Sequence, residues 1–187
     1  MRRPVESEGA DSPASLQPPG TLWTIGHSTH PIDELIALLR EHEIQQVADV
    51  RRFAGSRKNP QYNPDALAAS LPAAGIDYVA CPALGGRRKP LPDSPHSAWR
   101  NEAFRGYADY MDTPEFREAA AQLAELARRE RTAIMCAEGV WWRCHRSMIS
   151  DWFKVHGWTV MHIMGAGAAK EHPYTPVAKI ENGELTY

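Results

Sequence analysis

Met135-Cys136-Ala137-Glu138-Gly139-Val140-Trp141-Trp142-Arg143-Cys144-His145-Arg146-Ser147 decides how this chain is read. Thr132-Ala133-Ile134 before it reads as the end of a buried strand. Ser147-Met148-Ile149-Ser150-Asp151-Trp152-Phe153 after it has the spacing of an amphipathic helix. The quoted stretch is then a strand-to-helix turn that crowds two thiols, a carboxylate, an imidazole and two guanidiniums. In open α/β folds ligands bind at the carboxyl ends of strands, where helix N-termini offer free N–H groups to anions. A thiol, an acid and cations at such a turn point to chemistry on an anionic substrate without naming the reaction.

The same alternation extends in both directions. Thr21–Ile25, Gln46–Val50, Ile76–Ala80 and Thr159–Ile163 read as further strands. Helices are expected after Pro31, from Asn63-Pro64-Asp65 to about Ala74, over about Asn101–Met111 and Pro114–Glu130, and from Ser147 to about His156. A long loop from Pro82 to about Ala98 holds Gly85-Gly86-Arg87-Arg88-Lys89, and loops of that length inside a domain usually serve function or are disordered. Glu181-Asn182-Gly183-Glu184 reads as a hairpin turn. The expected fold is α/β: one domain over residues 21–187, with a mostly parallel sheet of about five strands and helices on both faces. Residues 1–20, rich in Pro, Ser, Gly and acids with no hydrophobic period, read as a disordered tail.

Composition narrows the function classes. A chain of 187 residues with 43% hydrophobic and 24% charged residues is that of a soluble globular protein. Its net charge of −2 argues against a protein that coats nucleic acid generically, while leaving room for a local basic site. No apolar run approaches the ~20 residues that span a bilayer, and the first residues lack an apolar signal core, so no membrane partner and a cytoplasmic location are expected. Three cysteines do not make a disulfide framework.

The strand-end loops carry the candidate site residues. Cys136 reads as a nucleophile of lowered pKa or, equally, as a buried structural thiol. Glu138 and Asp49 are candidate acid/base groups. Arg51, Ser56, Arg57, Gly86, Arg87 and Arg146 are candidate anion ligands, glycine allowing close backbone approach and arginine a bidentate grip. Asn101, Arg105, Tyr107, Trp142, Cys144 and His145 complete the candidate contact set. The mid-helix Gly106 implies close approach by another backbone or by ligand. Arg143 falls seven residues after Cys136, one residue too late for the Cys-x5-Arg phosphatase cradle. Metal is a secondary reading, because the chain has neither a Cys-x2-Cys pair nor a His-Glu-x2-His segment. No cofactor and no oligomeric state can be read from the residues.

Together these motifs resemble the DUF488 family. The marks are Thr24-Ile25-Gly26-His27-Ser28, Asp49-Val50-Arg51, Gly55-Ser56-Arg57, Leu84-Gly85-Gly86-Arg87, Phe104-Arg105-Gly106-Tyr107-Ala108-Asp109-Tyr110-Met111, Cys136-Ala137-Glu138 and Cys144-His145-Arg146. The resemblance implies an α/β fold and a shared polar site, and it supplies no activity.

Three expectations for function follow. The leading one is an enzyme that hydrolyses or transfers a group on a nucleotide, nucleic-acid or other phosphate-bearing substrate, at the carboxyl edge of the sheet. The second is a nucleic-acid-binding module without chemistry, using the basic loops and the Trp141-Trp142 pair. The third is a thiol- or metal-based redox or sulfur-transfer protein.

Overall fold

The computed structural model describes residues 19–187. The tail expected over residues 1–20 therefore lies outside the described residues, apart from Pro19 and Gly20. Gly20 is already tied to the sheet, its carbonyl accepting the Thr159 N–H at 3.1 Å.

Five parallel strands form the body of the sheet: β1 (Thr21–Gly26), β2 (Gln46–Asp49), β3 (Asp77–Ala80), β4 (Thr132–Cys136) and β5 (Thr159–Ile163). A two-residue strand, β6 (Lys170–Glu171), adds antiparallel to β5, giving the order β3-β2-β4-β1-β5-β6. The hairpin expected near Asn182 forms from β7 (Lys179–Glu181) and β8 (Glu184–Thr186). Asn182 and Gly183 both take positive φ there, as a two-residue type I′ turn requires.

The helices divide between the faces. α1 (Ile32–Glu41) and α2 (Pro64–Ala73) cover one side, packing Leu35, Leu39, Leu67 and Leu71 on Ile25, Val47, Ala133 and Met135. α3 (Glu102–Met111), α4 (Pro114–Arg129) and α5 (Arg146–Val155) cover the other, packing Tyr107, Phe116, Leu123, Met148 and Phe153 on Leu22, Ala48, Ile134 and Val160. Each strand alternates between these two cores, as a period of two demands. Cys136 belongs with Ile134 on the α5 side, so the alternation of β4 aims its thiol at α5.

This topology creates one reversal of winding. From β1 the chain crosses through α1 to β2, on one side of β1. From β4 it crosses through α5, over the opposite face, to β5 on the other side. The carboxyl ends of the adjacent strands β1 and β4 therefore lie at the switch point, where the connections diverge and leave a crevice. Two backbone bonds knit those ends together: His27 N–H donates to the Cys136 carbonyl at 2.9 Å and Ser28 N–H to the Ala137 carbonyl at 3.0 Å. Only glycine fits at position 26, because a Cβ there would overlap the Glu138 carbonyl.

The long loop is ordered by packing. It starts with a 3-10 turn, Pro82–Leu84, and then lies against α3. A Cβ on Gly106 would overlap the Arg88 carbonyl, so the mid-helix glycine admits backbone rather than ligand. The Tyr107 and Tyr110 hydroxyls fasten the same loop, donating at 2.6 Å to the carbonyls of Leu84 and Ala83.

Candidate active site

The β4–α5 turn folds over the crevice through a 3-10 turn, Trp141–Arg143, which brings Cys144 back to Cys136 at the start of α5. The two Sγ atoms lie 2.7 Å apart, with both cysteines free. His145 places Nδ1 3.4 Å from the Cys144 sulfur, while its Nε2–H donates to the Val50 carbonyl at 3.0 Å. That second bond orients the ring and aims Nδ1 at the thiol. Gly86 backs the same ring: a Cβ there would come 3.0 Å from Nδ1, so the glycine leaves room for the imidazole.

Electrostatics divide the two thiols. Burial opposes ionisation of Cys144, but the Cys136 thiol donating to it, the adjacent His145 and the Arg146 guanidinium outweigh that opposition. Together they hold Cys144 well below the ordinary thiol value. Cys136 is pushed well above it by burial and by its hydrogen bond and proximity to Cys144. The electrostatics thus favour negative charge on Cys144 over Cys136, at a helix N-terminus that also favours it.

These groups floor a cleft of about 350 Å³, lined by Arg51, Arg52, Phe53, Gly86, Arg87, Asn101, Ala103, Phe104, Cys136, Ala137, Glu138, Arg143, Cys144 and His145. Four arginines against one glutamate make it cationic. Of the residues expected in the site, the cleft gathers Cys136, Glu138, Arg51, Gly86, Arg87, Asn101, Cys144 and His145. Glu138 is exposed at the rim and forms no ion pair among the described residues. Asn101 spends its side-chain oxygen on capping α3, accepting from Ala103 N–H at 2.8 Å.

The other expected residues stand elsewhere. Asp49 lies beneath the cleft, buried, with its carboxylate fully engaged: it takes Arg51 Nε and Nη2 at 2.8 and 2.6 Å, the Arg51 N–H at 3.1 Å and the Tyr78 hydroxyl at 2.9 Å. A carboxylate so occupied orients Arg51. Ser56 is a turn residue, its N–H donating to Asn63 Oδ1 at 2.7 Å and its hydroxyl accepting from Asn59 N–H at 3.1 Å. Arg57 is exposed away from the lining. Arg105 approaches Glu102 at 3.8 Å, and Trp142 is exposed outside the cleft. Tyr107 stands behind His145, edge to ring at 5.3 Å.

Arg146 is the largest departure from expectation. A substrate-gripping arginine should reach the surface, but this one is 0% exposed. It binds the turn from below, Nη2 donating to the Glu138 carbonyl at 2.7 Å and Nη1 to Thr24 Oγ1 at 3.2 Å. It forms no ion pair among the described residues, and its Nε has no hydrogen-bond partner there. Its charge contributes to lowering Cys144 and offsets only a small part of the rise in Cys136.

From Arg146 a buried chain runs through the fold: Thr24 Oγ1 meets His162 Nδ1 at 2.7 Å, His162 Nε2 meets His172 Nδ1 at 2.9 Å, and His172 Nε2 meets Asp151 Oδ1 at 2.9 Å. Arg146 donates into one end of this chain at Thr24, and Asp151 accepts at the other end from His172. Burial and the neighbouring His172 hold His162 neutral, its pKa down to about 2. Asp151 also accepts from Thr175 N–H, the Thr175 hydroxyl and the Tyr187 hydroxyl. Among the described residues no group of three or more His, Cys, Asp or Glu is placed to hold a metal ion.

A family model described as a domain of unknown function, DUF488, matches residues 31–153. The chain belongs to the DUF488 family. No curated protein and no solved structure matches it. The DUF488 match contains every residue lining the cleft, whereas Thr24, His27, His162 and His172 fall outside it. Lining residues of this DUF488 cleft that lie outside the expected set are Arg52, Phe53, Ala103, Phe104, Ala137 and Arg143. The first two sit in the basic run Arg51–Lys58, where only spacing relative to the loop at Gly86 could single them out. No helix among the described residues is long and apolar enough to cross a membrane.

Proposed function

We propose that this protein is a thiol-dependent enzyme that hydrolyses or transfers a group on a phosphate-bearing substrate such as a nucleotide. The observation that carries the reading is the Cys144 sulfur, held between Cys136 at 2.7 Å and His145 at 3.4 Å on the floor of an arginine-lined cleft. Thiolates are strong nucleophiles near neutral pH, and a cationic rim recruits the anionic substrate that such a nucleophile would attack.

In this reading Cys144 replaces Cys136 as the nucleophile. Its thiolate bonds to the electrophilic centre of the substrate, and the leaving group departs with its electron pair and takes a proton from water. Water or an acceptor alcohol then attacks the thio-intermediate, Glu138 takes its proton, and the Cys144 thiolate is released. Cys136 donates a hydrogen bond to that thiolate and keeps it in place. Arg87 and Arg143, exposed and free of carboxylate partners among the described residues, hold the phosphate.

Thermal shift against nucleotides, nucleosides and simple phosphates tests the binding half. A phosphate-bearing ligand should raise the melting temperature of the wild type, and the Arg87→Gln/Arg143→Gln double variant should lose that shift. A nucleoside that stabilises both proteins as well as its phosphate would overturn the role given to the rim.

A further inference from the structure

Beside the thiol cleft lies a second groove of about 460 Å³, lined by Arg52, Arg87, Arg88, Lys89, Leu91, Gly106, Asp109, Tyr110 and Thr113. Arg52 and Arg87 line both cavities, so one cationic surface continues from the thiols out along the loop. The groove's single acid is occupied internally, Asp109 accepting the Leu91 N–H at 2.8 Å and the Ser94 hydroxyl at 2.6 Å. Four cations line the groove with no exposed carboxylate to answer them: Arg88 gives its Nε and Nη2 to the Gly85 and Ala83 carbonyls over the Tyr110 ring and Arg52 gives Nη1 to the Arg87 carbonyl, while Arg87 and Lys89 are exposed.

Phe53 lines the inner cleft, 63% exposed, with the guanidiniums of the two shared arginines, Arg52 and Arg87, 5.4 and 5.8 Å from its ring centroid. Leu91, 55% exposed, lies along the outer groove. An aromatic ring left in water between two guanidiniums offers a stacking surface next to phosphate ligands. A base can use that surface only when it is not stacked in a duplex. A mononucleotide would fill the inner cleft alone. The outer groove adds cations that only further phosphates can reach.

We infer that the substrate is a single-stranded oligonucleotide, its reacting nucleotide in the thiol cleft, a base on Phe53 and its next phosphates along Arg88 and Lys89. This rests on the phosphate-bearing reading of the cleft and extends it to a polymer.

Protection of the cleft thiols from alkylation reads occupancy without knowledge of the reaction. The probes are a mononucleotide, a single-stranded oligonucleotide of about eight residues and an acidic peptide of equal charge. The proteins are the wild type, Lys89→Glu and Leu91→Glu, both exposed positions whose substitution leaves the core intact. The oligonucleotide should protect the wild type at a concentration roughly tenfold or more below the mononucleotide, with a steep salt dependence. Both variants should lose that advantage while the mononucleotide protects them as it protects the wild type. Equal protection by mononucleotide and oligonucleotide, an advantage that survives in both variants, or equal protection by the acidic peptide would overturn the inference and leave the cleft reading standing. Failure of mononucleotide and oligonucleotide alike would overturn both.

Discussion

A single buried guanidinium sets the chemistry of this molecule. Arg146 lies under the turn that carries both cysteines and forms no ion pair among the described residues, so its field favours an anion above it. Ion pairing at Asp49 treats a second guanidinium differently: Arg51 is locked by the carboxylate and by the Tyr62 carbonyl at 2.7 Å, and it donates to His27 Nε2 at 3.2 Å. Because Arg51 only donates, His27 is neutral with its proton on Nδ1, which donates to the Ser28 carbonyl at 2.9 Å. Burial, aided by the charge of Arg51, lowers the His27 pKa to about 4. The native state thus refuses a proton that the unfolded chain accepts below pH ~6.5. Stability should fall as pH drops from about 6.5 to 4, by on the order of 2 kcal/mol from this residue after solvent screening. Urea unfolding across that range should show a shallower decline for His27→Gln than for the wild type; equal slopes would remove His27 from the acid response.

At the scale of elements, the β4–α5 turn holds its shape through groups that arrive from distant segments. Gly26 of β1 makes room for it, Gly86 of the long loop makes room for His145, and Thr24 of β1 links Arg146 to the histidine chain ending at Asp151 of α5. Thr24→Val keeps the shape of the residue and removes the link, leaving Arg146 Nη1 and His162 Nδ1 without that partner. It should cost about 1–3 kcal/mol and raise the pH at which Cys144 begins to react, since Arg146 is then held beneath the turn by its Nη2 bonds alone. Urea unfolding together with a pH profile of alkylation checks this, and lost stability with an unmoved profile would reduce the chain to packing. Very little of this chain could be read in advance. The turn itself was legible, because a buried strand, a cluster of reactive side chains and an amphipathic helix follow one another within residues 132–153. The partners were not, because Thr24, His162 and His172 look like ordinary strand and loop residues until register places His162 directly beside Thr24.

For the whole molecule, alternation of strand and helix was enough to anticipate a parallel sheet with helices on both faces. Order was beyond it: nothing local says that β4 inserts between β2 and β1, and that insertion makes the switch point. The short β6 also escaped notice, since two exposed residues, Lys170 and Glu171, carry no hydrophobic period. The candidate site was legible as the set of strand-end loops, yet its division into rim and support was not. Arg146 read as an anion ligand and Asp49 as an acid/base group because a charged side chain at a strand end is usually solvated; here each is buried by the closure of the sheet's carboxyl edge. The fold thus assembles a cationic cleft over a thiol pair whose surroundings favour ionisation of Cys144 and oppose that of Cys136. Alkylation of the wild type as a function of pH, with mass spectrometry to locate the label, tests this most directly. Cys144 should label first, at a rate that levels off at a pH well below that of an ordinary thiol. Labelling of Cys136 before Cys144, or reaction of Cys144 only above pH ~8.5 as in an unperturbed thiol, would contradict it.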